Sequence, residues 1–468
     1  MAISILSGDK VLPSCCAGAR PGSKIVWTLS GLAALFFLVV GAGTPGDIDE
    51  GYFALAAQLI VQGKVPYRDF FLPQTPLVPY LFAGLFRLLG PGYLVGRCLG
   101  AIFAAATAGL VGLAVHRETR QRLPAVVAVV LFCTHALSWQ WLSLIKPYGI
   151  GGLLVLASVL LVSHPHRAPS RGACILAGSC AGLAAGCRLL LVPVVLACAV
   201  GATLHPAPIA RQVTPGVVRP DPPWARALAV LAAAAVVGAA IALPFYLIAP
   251  EGFLFGNLGY HALRAPGGLV GGLSGNLVLL LELIGAGQAS DCSASGVQFV
   301  ALLALNLVAV VLPGWRLRVA AWTAIALLVA ASVLPNPAYE QYFTPLVPLL
   351  AVGAGASLGR LLAALPTVPR RLSLALPLAL VTLSVLSGVQ GFGKHWVLGL
   401  YPWPMADYRP RALDRTAREV ADRSARHPGP VLSAWEGSCL YCAPSIMPGY
   451  ENQFVRGPAE GLAPARRQ

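Results

Sequence analysis

The residues equipped for chemistry crowd into one stretch, from Asp47 to Tyr80. It opens with Asp47-Ile48-Asp49-Glu50-Gly51-Tyr52-Phe53, continues through Val65-Pro66-Tyr67-Arg68-Asp69-Phe70-Phe71, and closes on Pro73-Gln74-Thr75-Pro76. Carboxylates packed this densely can take a proton as a general base, cap a helix, or hold a cation. The stretch follows directly on the apolar run Ile25 to Gly43, which is long enough to span a bilayer. The acids therefore fall at a boundary between water and lipid.

Composition makes the rest of the chain a membrane protein. Its 468 residues are 57% hydrophobic and only 11% charged, with a mean hydropathy of +0.73. That lies outside the range of soluble domains and identifies a polytopic chain. Much of the formal net charge of +15 sits in short basic punctuations between apolar runs, as orientation signals do, so no nucleic-acid partner is expected. Cys98, Cys133, Cys174, Cys180, Cys187 and Cys198 fall inside apolar runs, where cysteine behaves as a small hydrophobe. Cys439 and Cys442 form a lone C-x-x-C, which leaves a disulfide open and supports no metal site without a second pair.

In chain order, residues 1–24 read as a cytoplasmic tail and Ile25 to Gly43 as an uncleaved first helix. Glu50, Ala54, Gln58 and Gln62 then recur every four residues, the pattern of a helix lying on the membrane face and capped by Asp47 or Asp49. Leu77 to Leu89 carries Arg87 and, at about 13 residues, is too short to span. It is expected as a second surface helix within an outer loop 44–92. Tyr93 to Val115 is the next span, and it places the basic run His116 to Arg122 inside. A span at 123–143 puts Lys146-Pro147-Tyr148 outside, and one at 147–163 returns to Arg167 and Arg171 inside.

The stretch from Ala173 to Leu204 is too long for one helix and has Arg188 in its middle. It is expected as a hairpin of two short helices meeting at Arg188, with Gly178, Gly182 and Gly186 permitting close packing. Arg211, Arg219 and Arg226 follow on the inside, then spans at 227–249, 295–313, 319–334, 343–365 and 373–391. The expected fold is an all-α polytopic helical bundle over residues 25–393, with about 11 transmembrane helices. An outer loop at 250–294 is rich in glycine and carries Tyr260, His261 and Arg264. A loop of that length without clear structure is functional or disordered, and this one is read as a flexible cover for the acids. Residues 394–468 read as a small periplasmic α/β domain, with an amphipathic helix from Arg411 to His427 and a short strand from Val431 to Trp435.

Asp49-Glu50-Gly51-Tyr52, then Gly63, then the Val65 to Phe71 segment and the Pro76/Tyr80 pair, resemble the first outer loop of the GT-C membrane glycosyltransferases. Within them the chain is most similar to the family of protein O-mannosyltransferases and lipid A aminoarabinose transferases. The resemblance covers residues 25–200 and, more loosely, Tyr339 to Pro345, which is similar to the tyrosine-rich outer start of a late helix. It implies that Asp49 is the catalytic carboxylate, taking the proton of an acceptor hydroxyl that attacks the anomeric carbon of a polyprenyl-phosphate sugar. The departing phosphate needs cations rather than an acid, for which Lys146, Arg188, Arg68 and Arg264 are the candidates. A single displacement inverts the sugar. Glu50, Tyr52, Gln74 and Tyr342 complete the expected substrate-binding set.

Each residue has a plainer role available. Asp49 can simply cap its helix, Glu50 can support the helix dipole, and Lys146 and Arg68 can snorkel to headgroups. Tyr342 fits an interfacial aromatic belt, and His261 a solvated loop. The chain also departs from the family. Gln74 stands near Pro76 where related enzymes carry an acid, and Lys146-Pro147-Tyr148 stands where many carry a second one. No metal and no cofactor is therefore expected. The expected partners are a polyprenyl-phosphate sugar donor, a lipid, glycan or protein acceptor, and membrane lipids, at a bacterial inner membrane with the site facing the periplasm. The alternatives are a transporter or lipid flippase, which the lack of repeated halves and the scarcity of intramembrane charges beyond Arg188 disfavour, and an inactive scaffold.

Overall fold

The computed structural model describes residues 21–163, 168–204, 221–263, 293–310, 319–335, 337–364, 370–393 and 408–447, with Asn276, Leu277 and Leu279. Among them there is no strand, only isolated bridges, and the architecture is an all-α bundle. The helices are α1 (Pro21–Gly43), α2 (Ile48–Val61), α3 (Leu77–Leu89), α4 (Tyr93–Thr119), α5 (Arg122–Thr134), α6 (Ala136–Trp141), α7 (Tyr148–Val162), α8 (Arg171–Cys187) and α9 (Pro193–Thr203). There follow α10 (Pro223–Ile248), α11 (Pro250–Leu254), α12 (Tyr260–Leu263), α13 (Ser293–Val310), α14 (Val319–Val333), α15 (Leu346–Ala364), α16 (Arg370–Phe392) and α17 (Pro410–Arg426). Five described helices carry stretches long and apolar enough to cross a membrane: Ile25–Gly43, Tyr93–Thr119, Pro223–Ile248, Leu346–Ala364 and Ala375–Phe392.

The expected span at 123–143 is instead two shorter helices, α5 and α6. It breaks at His135, which is extended and fully buried between α5 and α6. Backbone can leave the helix at such depth only where protein groups replace the lost hydrogen bonds. Gln298 does so from α13: its Oε1 accepts from the Ala136 N–H at 2.7 Å and its Nε2 donates to the Thr134 carbonyl at 2.9 Å.

The chain does turn back at Arg188, which is extended and followed by a single 3-10 turn, Leu189–Leu191. The glycines of α8 serve a neighbour rather than the other arm of the hairpin. A Cβ on Gly178 would fall on the Val230 carbonyl, and one on Gly182 would lie 2.8 Å from the Ala234 carbonyl, so α8 runs backbone to backbone along α10.

At one end of the bundle α1 ends, α2 and α4 begin, and the Arg188 turn lies. There α2 is not the membrane-surface helix its four-residue polar period predicts. Glu50, Ala54 and the aromatic residues Tyr52 and Phe53 are all buried, covered by α3 and by residues 408–447. Leu413, Ala417, Cys439, Leu440 and Ile446 share one apolar core with α2. The expected α/β character of this C-terminal segment reduces to helix α17, two 3-10 turns and a lone bridge of Val431 to Ile446. Cys439 and Cys442 are buried free thiols.

Candidate active site

Helix α2 begins because Asp47 caps it. With extended backbone, Asp47 accepts the Asp49 N–H on its side chain at 2.9 Å, and the Glu50 N–H on its carbonyl at 3.0 Å. Asp49 and Glu50 then occupy the first turn, where the helix dipole favours negative charge. One residue apart on a helix, they point in different directions and meet different surroundings.

Glu50 is completely buried. Arg97, on the second turn of α4, holds it bidentately, Nε to Oε1 at 2.7 Å and Nη2 to Oε2 at 2.5 Å. The Ile145 N–H adds a third hydrogen bond at 3.2 Å. Arg97 also donates to the Gly41 and Thr44 carbonyls at the end of α1, satisfying groups that a helix terminus leaves open. Glu50 was expected among the substrate-binding residues. Through Arg97 and the Ile145 N–H, its oxygens instead tie α2 to α1, α4 and the turns before α7. Arg97 was not singled out in the sequence, although the rule that drew attention to Arg188, a charge inside an apolar run, applies to it equally.

Asp47 and Asp49 converge on Lys146. Its ammonium pairs with the Asp47 Oδ1 and, at 3.2 Å, with the Asp49 Oδ2, and it lies 4.8 Å from the centre of the Trp141 ring. The Lys146 side chain is 1% exposed, whereas those of Asp47 and Asp49 are 26% and 32% exposed. Burial alone would lower the lysine pKa, but the two carboxylates outweigh it and hold the group above its ordinary value, so it remains an ammonium. Burial pushes the Asp47 carboxyl above its ordinary value. Asp49 is the more open of the two acids.

Arg188 faces the same end from the turn between α8 and α9. It donates to the Tyr148 hydroxyl and lies 4.2 Å from the centre of the Tyr342 ring and 5.3 Å from that of Tyr148. The Asp49 charge reaches both Arg188 and Tyr148. Among the described residues no carboxylate stands at ion-pair distance from Arg188, so its charge is shared with aromatic faces rather than neutralised. Asp49, Lys146, Arg188 and Tyr342, spread over almost 300 residues of sequence, are thus gathered in one place, with Asp47 and Tyr148 added to them.

The remaining expected residues lie elsewhere or play quieter parts. Arg68 is 53% exposed and paired with its neighbour Asp69 at 2.8 Å. Gln74 accepts from the Tyr67 hydroxyl on its backbone carbonyl at 2.5 Å, and its side-chain oxygen is buried. Tyr52 is 2% exposed beside Asp49. Arg264, like most of the glycine-rich loop 250–294, lies outside the described residues. No three His, Cys, Asp or Glu side chains gather as a metal-ligand set among the described residues.

The C-terminal segment closes over the acid-bearing turn. Trp435 donates from its indole Nε1 to the Ile48 carbonyl at 3.0 Å and stacks on Tyr93, with ring centres 5.9 Å apart. A Cβ on Gly51 would lie 2.5 Å from the indole ring, so a glycine is what lets Trp435 seat there. The Tyr93 hydroxyl donates to Gly437 O at 2.9 Å, and the Gly46 N–H donates to Tyr408 O at 2.6 Å. Nothing in the local sequence of Trp435 signals this contact.

No protein-family model matches the sequence, and no curated protein does. Among solved structures, the chain is similar to ArnT from Cupriavidus metallidurans bound to undecaprenyl phosphate. The two are 14% identical, with 94% of this chain and 88% of that one covered and a TM-score of 0.63. The same protein in the apo state is 15% identical over the same shares, with a TM-score of 0.62. At that identity the likeness is one of fold.

Proposed function

We propose that this chain is a membrane glycosyltransferase that moves a sugar from a polyprenyl-phosphate donor to an acceptor on the outer side of a bacterial inner membrane, with Asp49 as general base. One observation carries the reading: Asp49 is the more open of two carboxylates in a cluster that also holds two cations and two tyrosines. The fold supports it, and the structurally similar ArnT was solved with undecaprenyl phosphate bound.

The chemistry divides among the residues as their surroundings dictate. The acceptor hydroxyl oxygen forms its bond to the anomeric carbon as the bond from that carbon to the phosphate oxygen breaks. The hydroxyl proton passes to Asp49 and the bonding electron pair leaves with polyprenyl phosphate. Lys146 is already committed to Asp47 and Asp49, so its part is to hold both acids in place. Arg188 has no carboxylate partner among the described residues and is the cation available to the departing phosphate. Tyr148 and Tyr342 fix its guanidinium. One displacement inverts the anomeric configuration.

The site is proposed to work without a divalent metal, because the Lys146 ammonium fills the position on which the two acids converge. The test is purified protein in lipid nanodiscs with a polyprenyl-phosphate sugar and an envelope acceptor, assayed for free polyprenyl phosphate and for glycosylated product. The expected result is transfer with inverted configuration, unaffected by chelator. Activity abolished by chelator and restored by Mg²⁺ or Mn²⁺ contradicts metal independence, and unchanged envelope glycans in cells lacking the gene contradict the transferase reading itself.

A further inference from the structure

Tyr52, beside Asp49, is one of four residues with buried polar atoms that the mechanism does not use. The Tyr52 hydroxyl, the Gln74 Oε1, the Thr75 hydroxyl and the Asn257 Oδ1 are all buried, and none has a hydrogen-bond partner in the protein. Tyr52, Thr75 and Asn257 are 2%, 6% and 6% exposed. The Asn257 amide is oriented by its Nδ2, which donates to the Phe253 carbonyl at 3.0 Å and so leaves the oxygen as the free end. Native interiors seldom leave such groups unpaired, since each costs stability unless water or a ligand completes it.

The four come from segments packed against one another. Tyr67 spans them, donating to the Gln74 carbonyl and facing Asn257, with its ring 5.1 Å from that of Phe253. Asn257 sits in a π-helical turn, Phe255–Gly259, a distortion that recurs at functional sites. Gly256 in that turn lies against the Leu72 carbonyl, and a side chain there would push the two segments apart. Tyr52 shares its electrostatic surroundings with Tyr67, Tyr260 and Asp49. Two amide oxygens that only accept, together with two hydroxyls that do either, suit a ligand that offers several hydroxyl donors.

We propose that Tyr52, Gln74, Thr75 and Asn257 line the subsite for a hydroxyl-rich sugar ring, that of the donor, beside the Asp49 carboxylate. This rests on the transferase reading above and extends it to how the sugar is recognised. A site built to pair hydroxyls rejects analogues lacking them, so among single-deoxy forms of the donor sugar at least one binds much more weakly than the parent.

The experiment measures binding to full-length protein in nanodiscs of hexose- and pentose-bearing polyprenyl phosphates, with bare polyprenyl phosphate as reference. Tyr52→Phe and Thr75→Val each weaken the preferred sugar-bearing lipid about 3- to 10-fold and leave the bare lipid unaffected. Because each removes an unpaired hydroxyl, the unliganded melting temperature stays the same or rises. A free glycoside competing with the sugar-bearing lipid, and losing that ability in the variants, is consistent with recognition of the ring itself. A wild type with no preference for the sugar-bearing lipid overturns the proposal. So does equal weakening of both lipids, or a lower unliganded melting temperature with unchanged sugar-lipid binding, which would mean that buried water already pairs these groups. The outcome is separate from catalysis. If Asp49→Asn turned over normally while the two variants still lost only the sugar-bearing lipid, the base assignment would fail and the subsite would stand.

Discussion

Glu50 and Asp49 are neighbours on the first turn of α2, and their surroundings differ in every respect that decides whether an acid can react. Glu50 and its partner Arg97 are 0% and 2% exposed, and both Glu50 oxygens are occupied. Asp49 is 32% exposed and meets its cation on one oxygen at 3.2 Å, leaving the other free to take a proton. The first pair holds four elements in register, and the second stands at the open lip. The lesson is that charge inside an apolar chain marks structure or chemistry according to how completely it is paired, and residue type alone does not distinguish them.

Breaking the buried pair has the largest expected effect on stability. Arg97→Leu strands Glu50 without a counter-charge and costs about 3 to 5 kcal/mol, read from thermal or denaturant unfolding in detergent. Adding Glu50→Leu to it recovers most of that loss, because the pair's value lies in not leaving either charge alone. Failure of the double variant to recover would mean that the hydrogen bonds of Arg97 to α1 carry the stability instead. Gly51→Ala probes the seat of Trp435 over the same turn. The new methyl meets the indole and lowers stability by about 1 to 3 kcal/mol, with a loss of transfer as the acid-bearing turn shifts. Arg68→Ala sharpens the contrast from the other side, since it breaks an exposed pair with Asp69 and leaves the melting temperature close to that of the wild type.

Much of the architecture is legible in the sequence, because apolar period and length report elements directly. The structure has a helix at Leu77–Leu89, one at Pro410–Arg426 and a turn at Arg188, each where the pattern places it. It also gathers Asp49, Lys146, Arg188 and Tyr342, which the order of outer segments along the chain anticipates. What escapes sequence reading depends on partners distant in the chain. The polar period of α2 reads as a wetted face, yet Arg97, 47 positions on, turns that face inward. The helix break at His135 survives because Gln298, more than 160 positions away from Ala136, caps it. Trp435 reaches Ile48 across 387 positions. A local pattern describes which face is polar, but not what will cover it.

The most direct measurement is sugar transfer by purified Asp49→Asn beside the wild type, with unfolding of both followed in the same detergent. The asparagine keeps the shape and loses the base, so transfer falls at least about 100-fold while the melting temperature stays close to that of the wild type. Transfer at the wild-type rate by a well-folded Asp49→Asn protein would contradict the account.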